Sequence, residues 1–251
     1  MIKLASIAIL IALSIPAAAQ VSQPNAESAY PPPQKGDRPD IPGAFVLELG
    51  INSALDAPER FSLGLWGSRT INVYYQYELR ILKSKFSIVP GIGLSLERFK
   101  FKNSATLGYD PAPEDSLKLF LPSESGYTGM RKSQLITNYL DIPLELRFST
   151  KPSDPGRSFK IAVGGRAGFM YDSFSKLKYK DGNETKQLKD KQPWNLTKFR
   201  YGVYGKIGIG NFSLFGYYNL TPLFEEGESP GENNVVKDFQ TVTVGISLSG
   251  F

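Results

Sequence analysis

Eleven charged residues fall on the polar side of an alternating pattern that runs through the chain: Glu48, Glu78, Arg80, Glu97, Asp141, Glu145, Arg147, Lys160, Arg166, Arg200 and Lys206. Their chemistry is limited by what is missing. The sequence has no histidine and no cysteine, which removes imidazole acid–base catalysis, thiol nucleophiles and disulfide staples. Asp141 and Glu145 share a strand face, but four residues of extended chain separate them by about 13 Å. A glycosidase carboxylate pair needs roughly 5 to 9.5 Å. The acidic residues Asp110, Glu114, Asp115, Glu225, Glu226 and Glu228 lack the fixed spacing of a calcium loop. No metal, cofactor or catalytic residue is expected, and the chain reads as a non-enzyme. An enzyme acting on envelope lipid or glycan is the weaker rival. Because acids and bases are nearly balanced, the expectation is that they pair with one another. A small-solute pore, which needs a consistent sign of charge, is an alternative.

Eight alternating segments position these charges. They cover 43–52, 70–81, 86–99, 138–149, 158–173, 198–209, 212–220 and 241–251. In 70–81, for example, Ile71, Val73, Tyr75, Tyr77, Leu79 and Ile81 oppose Asn72, Gln76, Glu78 and Arg80. In 158–173 the apolar set Phe159, Ile161, Val163, Ala167, Phe169 and Tyr171 opposes Lys160, Gly164, Arg166 and Asp172. This is the period of a strand with two different faces. The links 82–85, 151–156 and Gly210-Asn211 are short, whereas 53–69, 100–137, 174–197 and 221–237 are long.

An even strand number with short turns at one end and long loops at the other predicts an all-β fold. The expected architecture is an eight-stranded antiparallel transmembrane up-and-down β-barrel, with both termini periplasmic. Residues 1–19, with Lys3, an apolar run and Ala17-Ala18-Ala19, read as a cleaved signal peptide. The proline-rich stretch 20–42 reads as a periplasmic leader, and 43–251 as the barrel domain. The rival fold is a soluble exported barrel or sandwich, whose strands also alternate. The glycine, serine and mixed charges of the polar parity suit a narrow packed lumen better.

The segments NYLDIPLELRF (138–148), SLGLWGSRTINVYYQYEL (62–79) and GIGNFSLFGYYNLTPLF (208–224) resemble the outer-membrane β-barrel domain of PorT-like proteins from Bacteroidota. The resemblance spans 43–251. It implies an outer-membrane barrel, allows a role in a type IX-like protein-secretion assembly, and supplies no catalytic residues. One feature departs from the usual carboxy-terminal insertion signal. Phe251 shares the parity of Ser247 and Ser249 instead of that of the apolar residues, unless Gly250 introduces a bulge.

Tyr74, Tyr75, Tyr77, Tyr201, Tyr204, Tyr217 and Tyr218 lie within the segments, with Trp66 and Trp194 near their borders, as aromatic girdles at two membrane interfaces would place them. Sugar stacking on Trp66 or Trp194 is the sharper alternative. The link 100–137 carries Tyr109, Leu117, Leu119, Phe120, Leu121 and Tyr127, which no bilayer face accounts for, and so predicts an ordered cap or a partner site. The candidate loop contacts are therefore Tyr109, Phe120, Tyr127, Trp66 and Trp194. The expected surroundings are outer-membrane lipid and lipopolysaccharide, with another envelope or surface protein as the candidate partner. The net charge of +5 is scattered along the chain and does not suggest nucleic acid. A monomeric barrel with a filled lumen and a structural or partner-binding role is the overall expectation.

Overall fold

The computed structural model describes residues 43–110, 116–127, 129–230 and 237–250. The expected signal peptide, the proline-rich leader, Glu114, Asp115 and Phe251 lie outside the described residues. Twelve strands are present among them: β1 (Ala44–Leu55), β2 (Arg69–Gln76), β3 (Leu79–Arg80), β4 (Phe86–Lys100), β5 (Thr106–Asp110), β6 (Ser116–Phe120), β7 (Met130–Ser149), β8 (Phe159–Asp181), β9 (Glu184–Asp190), β10 (Phe199–Ile209), β11 (Phe212–Asn219) and β12 (Gln240–Ser249).

Eight of them form the ring β1-β2-β4-β7-β8-β10-β11-β12, and β12 returns to β1 with Leu47 opposite Leu248 and Ile51 opposite Val244. All pairings are antiparallel, and the β8–β10 ladder, from Phe169–Phe199 to Phe159–Ile209, completes the closure. The fold is an eight-stranded up-and-down barrel. Ring closure leaves no free edge among these eight strands, so within the ring each strand has a partner on both sides. The ring turns tightly at one end. The two-residue hairpin Gly210-Asn211 starts with Gly210 at φ +61°, the conformation that matches a hairpin to the strands' twist. A β-carbon there would lie 2.4 Å from the Gly156 carbonyl oxygen.

The outward side is apolar over a band of limited height. On β4 the outward row runs Phe86, Ile88, Pro90, Ile92, Leu94 and Leu96, then changes to Arg98 and Lys100. Ten residues at about 3.3 Å each, tilted by about 40°, give a band about 25 Å tall. That matches the hydrocarbon core of a membrane. Phe45, Tyr75, Tyr77, Phe86, Phe148 and Phe212 rim the band toward the short-turn end, and Tyr171, Phe199 and Tyr201 rim it toward the long-loop end. The inward parity is polar, with Glu48, Asn72, Gln76, Ser95, Glu97, Asp141 and Glu145 all buried.

Beyond the band the pattern inverts, and this lengthens two strands past the sequence reading. The fourth segment begins at Met130, not at 138, and the fifth continues to Asp181, not to 173. There the outward residues are Arg98, Lys100, Lys132 and Lys176, while Phe99, Leu135 and Leu177 point inward and are buried. Water has replaced lipid outside, so the apolar residues now belong inside. A β-bulge makes the switch on β8. Asn138 pairs with Asp172 and Tyr139 with Met170, which leaves Tyr171 as an extra residue and flips every later side chain to the opposite face. Asp172, on the polar parity of its segment in the sequence, therefore faces outward and pairs with Lys191 Nζ at 2.9 Å. The long links 100–137 and 174–197 also contain the β5–β6 hairpin and the β9 strand.

Candidate functional site

Inside the ring the charges meet in two connected layers. Nearer the short turns, the Lys206 ammonium lies 2.8 Å from Glu48 and 2.6 Å from Glu145. The other Glu145 oxygen accepts from Arg147 at 2.9 Å, and the second arm of Arg147 reaches Glu78 at 2.9 Å. Gln76 donates to Glu145 at 2.7 Å and Asn72 donates to Glu48 at 2.8 Å. Below this layer a cavity of about 360 Å³ opens at the short-turn end, with Glu78, Arg147 and Lys160 on its wall. Lys160 donates to the Gly210 carbonyl at 2.9 Å.

The layer nearer the loops centres on Asp141. Arg200 binds Glu97 at 2.7 Å and Asp141 at 3.0 Å, Arg166 reaches Asp141 at 3.4 Å, and the Tyr74 hydroxyl donates to Asp141 at 3.0 Å while accepting from Arg166. Both guanidinium groups lie on aromatic faces. Arg200 is 3.7 Å from the Tyr139 ring centroid and Arg166 is 3.8 Å from that of Tyr217. The Asp141 and Arg200 side chains are 0% and 1% exposed. Charges so buried need partners on every side, because an unpaired ion in a low-dielectric interior costs several kcal/mol.

Glycines on the inward parity make space for the rings. A β-carbon on Gly202 would lie 2.6 Å from the Tyr217 hydroxyl oxygen and 2.4 Å from the Tyr218 carbonyl oxygen, so only glycine fits beneath that ring. Aromatic rings laid over bare backbone and ion pairs thus line the lumen. Asn52, Thr70 and Thr243 fill the next level, with Thr243 Oγ1 donating to Asn52 at 2.8 Å.

At the loop end a separate apolar core closes the ring. Phe61, Phe99, Phe101, Leu107, Leu117, Leu119, Leu135, Trp194, Leu196, Leu223, Phe224 and Phe239 form one buried cluster. Phe61 packs against Phe239 at 4.6 Å between ring centroids and edge-on against Phe101 at 5.1 Å. The β5–β6 hairpin contributes Leu107, Leu117 and Leu119. Between it and the β8–β9 hairpin is a cavity of about 270 Å³ bordered by Phe120, Tyr127, Leu177 and Leu188.

Of the eleven charges on the polar parity, the structure brings nine into this network, and Lys160 stands beside it on the cavity wall, bonded to the Gly210 carbonyl instead of a carboxylate. The exception is Arg80, which is exposed on the two-residue β3 and donates to the Ser84 carbonyl at 2.9 Å. The ring is already turning there, so strand parity no longer points inward. Three tyrosines assigned to girdles, Tyr74, Tyr204 and Tyr217, stand in the lumen instead. Each has the parity of neighbouring lumenal residues, Asn72 and Gln76 for Tyr74, Arg200 and Lys206 for Tyr204, and this signal outweighs aromatic character. Tyr139, which was not among the sequence candidates, shares the parity of Asp141 and Glu145 and closes over Arg200.

The loop candidates divide. Trp66 is 77% exposed in the turn before β2. Trp194 is 1% exposed and stacks on Tyr109 at 5.8 Å with the rings 3° from parallel, so neither face is open to a sugar. Tyr109 donates to Asn195 Oδ1 at 3.2 Å, and burial pushes its phenol pKa up. Phe120 and Tyr127 line the 270 Å³ cavity, and Tyr127 also tilts against Tyr179.

The family model for the outer membrane protein beta-barrel domain matches residues 22–225. The chain belongs to that family. It is an outer-membrane β-barrel protein, and the apolar band is its lipid-facing belt. No curated protein matches the chain. Among solved structures, the barrel is similar to the N-terminal domain of Pseudomonas aeruginosa OprF, with 9% identity, 83% of this chain and 99% of that one covered, and a TM-score of 0.27. It is also similar to Ail, the attachment invasion locus protein of Yersinia pestis, with 12% identity, 83% and 97% covered, and a TM-score of 0.33. Neisserial surface protein A matches at 13% identity, with 82% and 95% covered and a TM-score of 0.33.

Proposed function

We propose that this barrel is a plugged, non-conducting outer-membrane scaffold whose working surface is the folded cap at the long-loop end. The observation that carries the reading is the two-layer ion-pair network. Arg200, Arg166 and Asp141 bridge β10, β8 and β7, and Lys206, Glu145 and Glu48 bridge β10, β7 and β1. An eight-stranded ring leaves an interior just wide enough for such side chains. The absence of histidine supports a non-enzymatic role. The short-turn end, where β1 begins and β12 ends, is read as periplasmic, with residues 1–19 as the export signal. Reconstitution into planar bilayers tests the plug. The expected result is no stepwise conductance, and discrete openings would overturn it.

A partner-binding role for the cap rests on the 270 Å³ cavity, because Phe120, Tyr127 and Leu188 border it without belonging to the cap's buried cluster. In Phe120→Ser/Leu188→Ser, the barrel should still assemble and crosslinks to surface or envelope partners in intact cells should fall. Unchanged crosslinks would return attention to the proline-rich leader. Secretion proteins among those crosslinks would carry the role that the PorT-like resemblance implies.

A further inference from the structure

Just past the lipid-facing band, the outside of β4, β7 and β8 carries a ladder of cations. Arg69 on β2 lies directly opposite Arg98 on β4. One level further out, Lys100 and Lys176 flank Gln134 from either side, and Lys132 lies directly opposite Lys178 on the next. Side chains opposite one another in a sheet have β-carbons about 5 Å apart, and like charges there are destabilising.

Four cations elsewhere in the loop region do have a carboxylate partner. Arg60 has Glu124, Lys118 has Asp110, Lys186 has Asp181 and Lys191 has Asp172. Among the described residues no carboxylate forms an ion pair with Arg98, Lys100, Lys132, Lys176 or Lys178. The ammonium pKa of Lys132 is pushed down by burial and then by Lys100, Lys178, Lys176 and Arg98. A repulsive surface without internal compensation favours an external anion.

Position indicates which anion. Arg98 is two residues, about 7 Å of strand, beyond Leu96, the last outward apolar residue of β4. The ladder is therefore continuous with the belt that acyl chains cover. Half-buried Phe174 lies on the Arg98 level next to buried Ile136, and Lys189 Nζ sits 3.7 Å over the Phe174 ring. The surface is thus part apolar and part cationic where the membrane meets water.

We propose that this ladder is a binding site for a phosphorylated glycolipid, its acyl chains against Leu94, Leu96 and Leu140 and its headgroup phosphates on Arg98, Lys100, Lys132, Lys176 and Lys178. Lysines serve as compact cationic partners for phosphate, and each near a charged membrane surface adds attraction that salt screens. The inference rests on the reading that the long-loop end faces outward, where such a lipid would form the outer leaflet.

The test uses the full barrel purified in neutral detergent micelles and measures binding of bisphosphorylated lipid A and of its dephosphorylated form. The probe with phosphates should bind at least about tenfold more tightly, and more weakly as salt rises. Lys100→Gln/Lys132→Gln/Lys176→Gln/Lys178→Gln should lose that preference while keeping a heat-dependent gel shift, which shows that the barrel has assembled. Lys83→Gln/Lys85→Gln, at the short-turn end, should retain it. Equal binding of the two lipids, retention of the preference in the quadruple variant, equal loss in the control variant, or equally tight binding of inorganic pyrophosphate would overturn the proposal. Binding in micelles does not depend on which end faces out. Orientation is read separately, by thiol labelling of Trp66→Cys in intact cells.

Discussion

Replacing Arg200 with methionine tests the plug most directly. The substitution keeps much of the stem's volume and its contact with the Tyr139 ring, but removes three hydrogen bonds, at 2.7 Å to Glu97 and at 3.0 and 3.3 Å to Asp141. The two carboxylates are left unequally placed. Asp141 keeps Tyr74 at 3.0 Å and Arg166 at 3.4 Å, whereas Glu97 keeps, among the described residues, only the Thr137 hydroxyl at 3.4 Å. Breaking a buried ion pair from one side costs about 3 to 5 kcal/mol. Because Asp141 is still served, the lower end, about 3 kcal/mol, is the expected loss. Adding Glu97→Gln removes the orphaned charge and should recover about half of that loss, since the remaining cost is that of unmade hydrogen bonds. The assay is urea unfolding of the barrel in phospholipid vesicles, followed by tryptophan emission, in which Trp194, buried in the cap, reports unfolding. A cost of Arg200→Met below about 1 kcal/mol, the range of a solvent-exposed pair, would show that the lumen is wet enough to solvate Glu97, and the plug reading would fail with it.

Three further outcomes follow from the same geometry. Leu144→Arg or Val244→Arg, at outward sites 54% and 60% exposed, should cost about 2 to 4 kcal/mol near the bilayer midplane and reduce the heat-shifted fraction on gels. Ser95→Ala, in the lumen, should leave that fraction unchanged. Gly202→Val should block assembly in the same assay, because the added β-carbon meets the Tyr218 carbonyl oxygen at 2.4 Å and a backbone atom in a closed ring cannot give way. Glu124 has its pKa lowered by the Leu121 amide first and by Arg60 next. Its contacts should therefore be intact above the ordinary glutamate pKa and be lost as pH falls through the depressed value. Faster exchange of the Leu121 amide in that acidic window would show the loss, and pH-independent exchange would contradict it.

The strands were legible because alternation is local. Val73 beside Asn72, or Leu144 beside Glu145, states which side each residue faces without any knowledge of the partner strand. The reading failed wherever the surroundings of a strand changed along its length. Past Leu96 and Leu140 the apolar residues move from the lipid side to the cap core, so Phe99 and Leu135 resemble breaks in a pattern that in fact continues with inverted phase. The bulge at Tyr171 adds a second inversion that no periodicity can foresee. Tyr74, Tyr204 and Tyr217 depart from the girdle expectation because strand parity outweighs the interfacial preference of an aromatic ring.

The sequence by itself determined that eight two-faced strands carry nearly balanced charges on one face and lipid-compatible residues on the other. A side chain's face follows from a two-residue period, and a short window contains all of it. Only the tertiary structure decided that Arg200 meets Glu97, 103 residues away, and that Arg166 meets Tyr74, 92 residues away. Those meetings depend on where each strand stands around the closed ring and on the register at which the ring joins. Register accumulates over every pairing from β1 to β12, bulge included, and no segment read alone contains that sum.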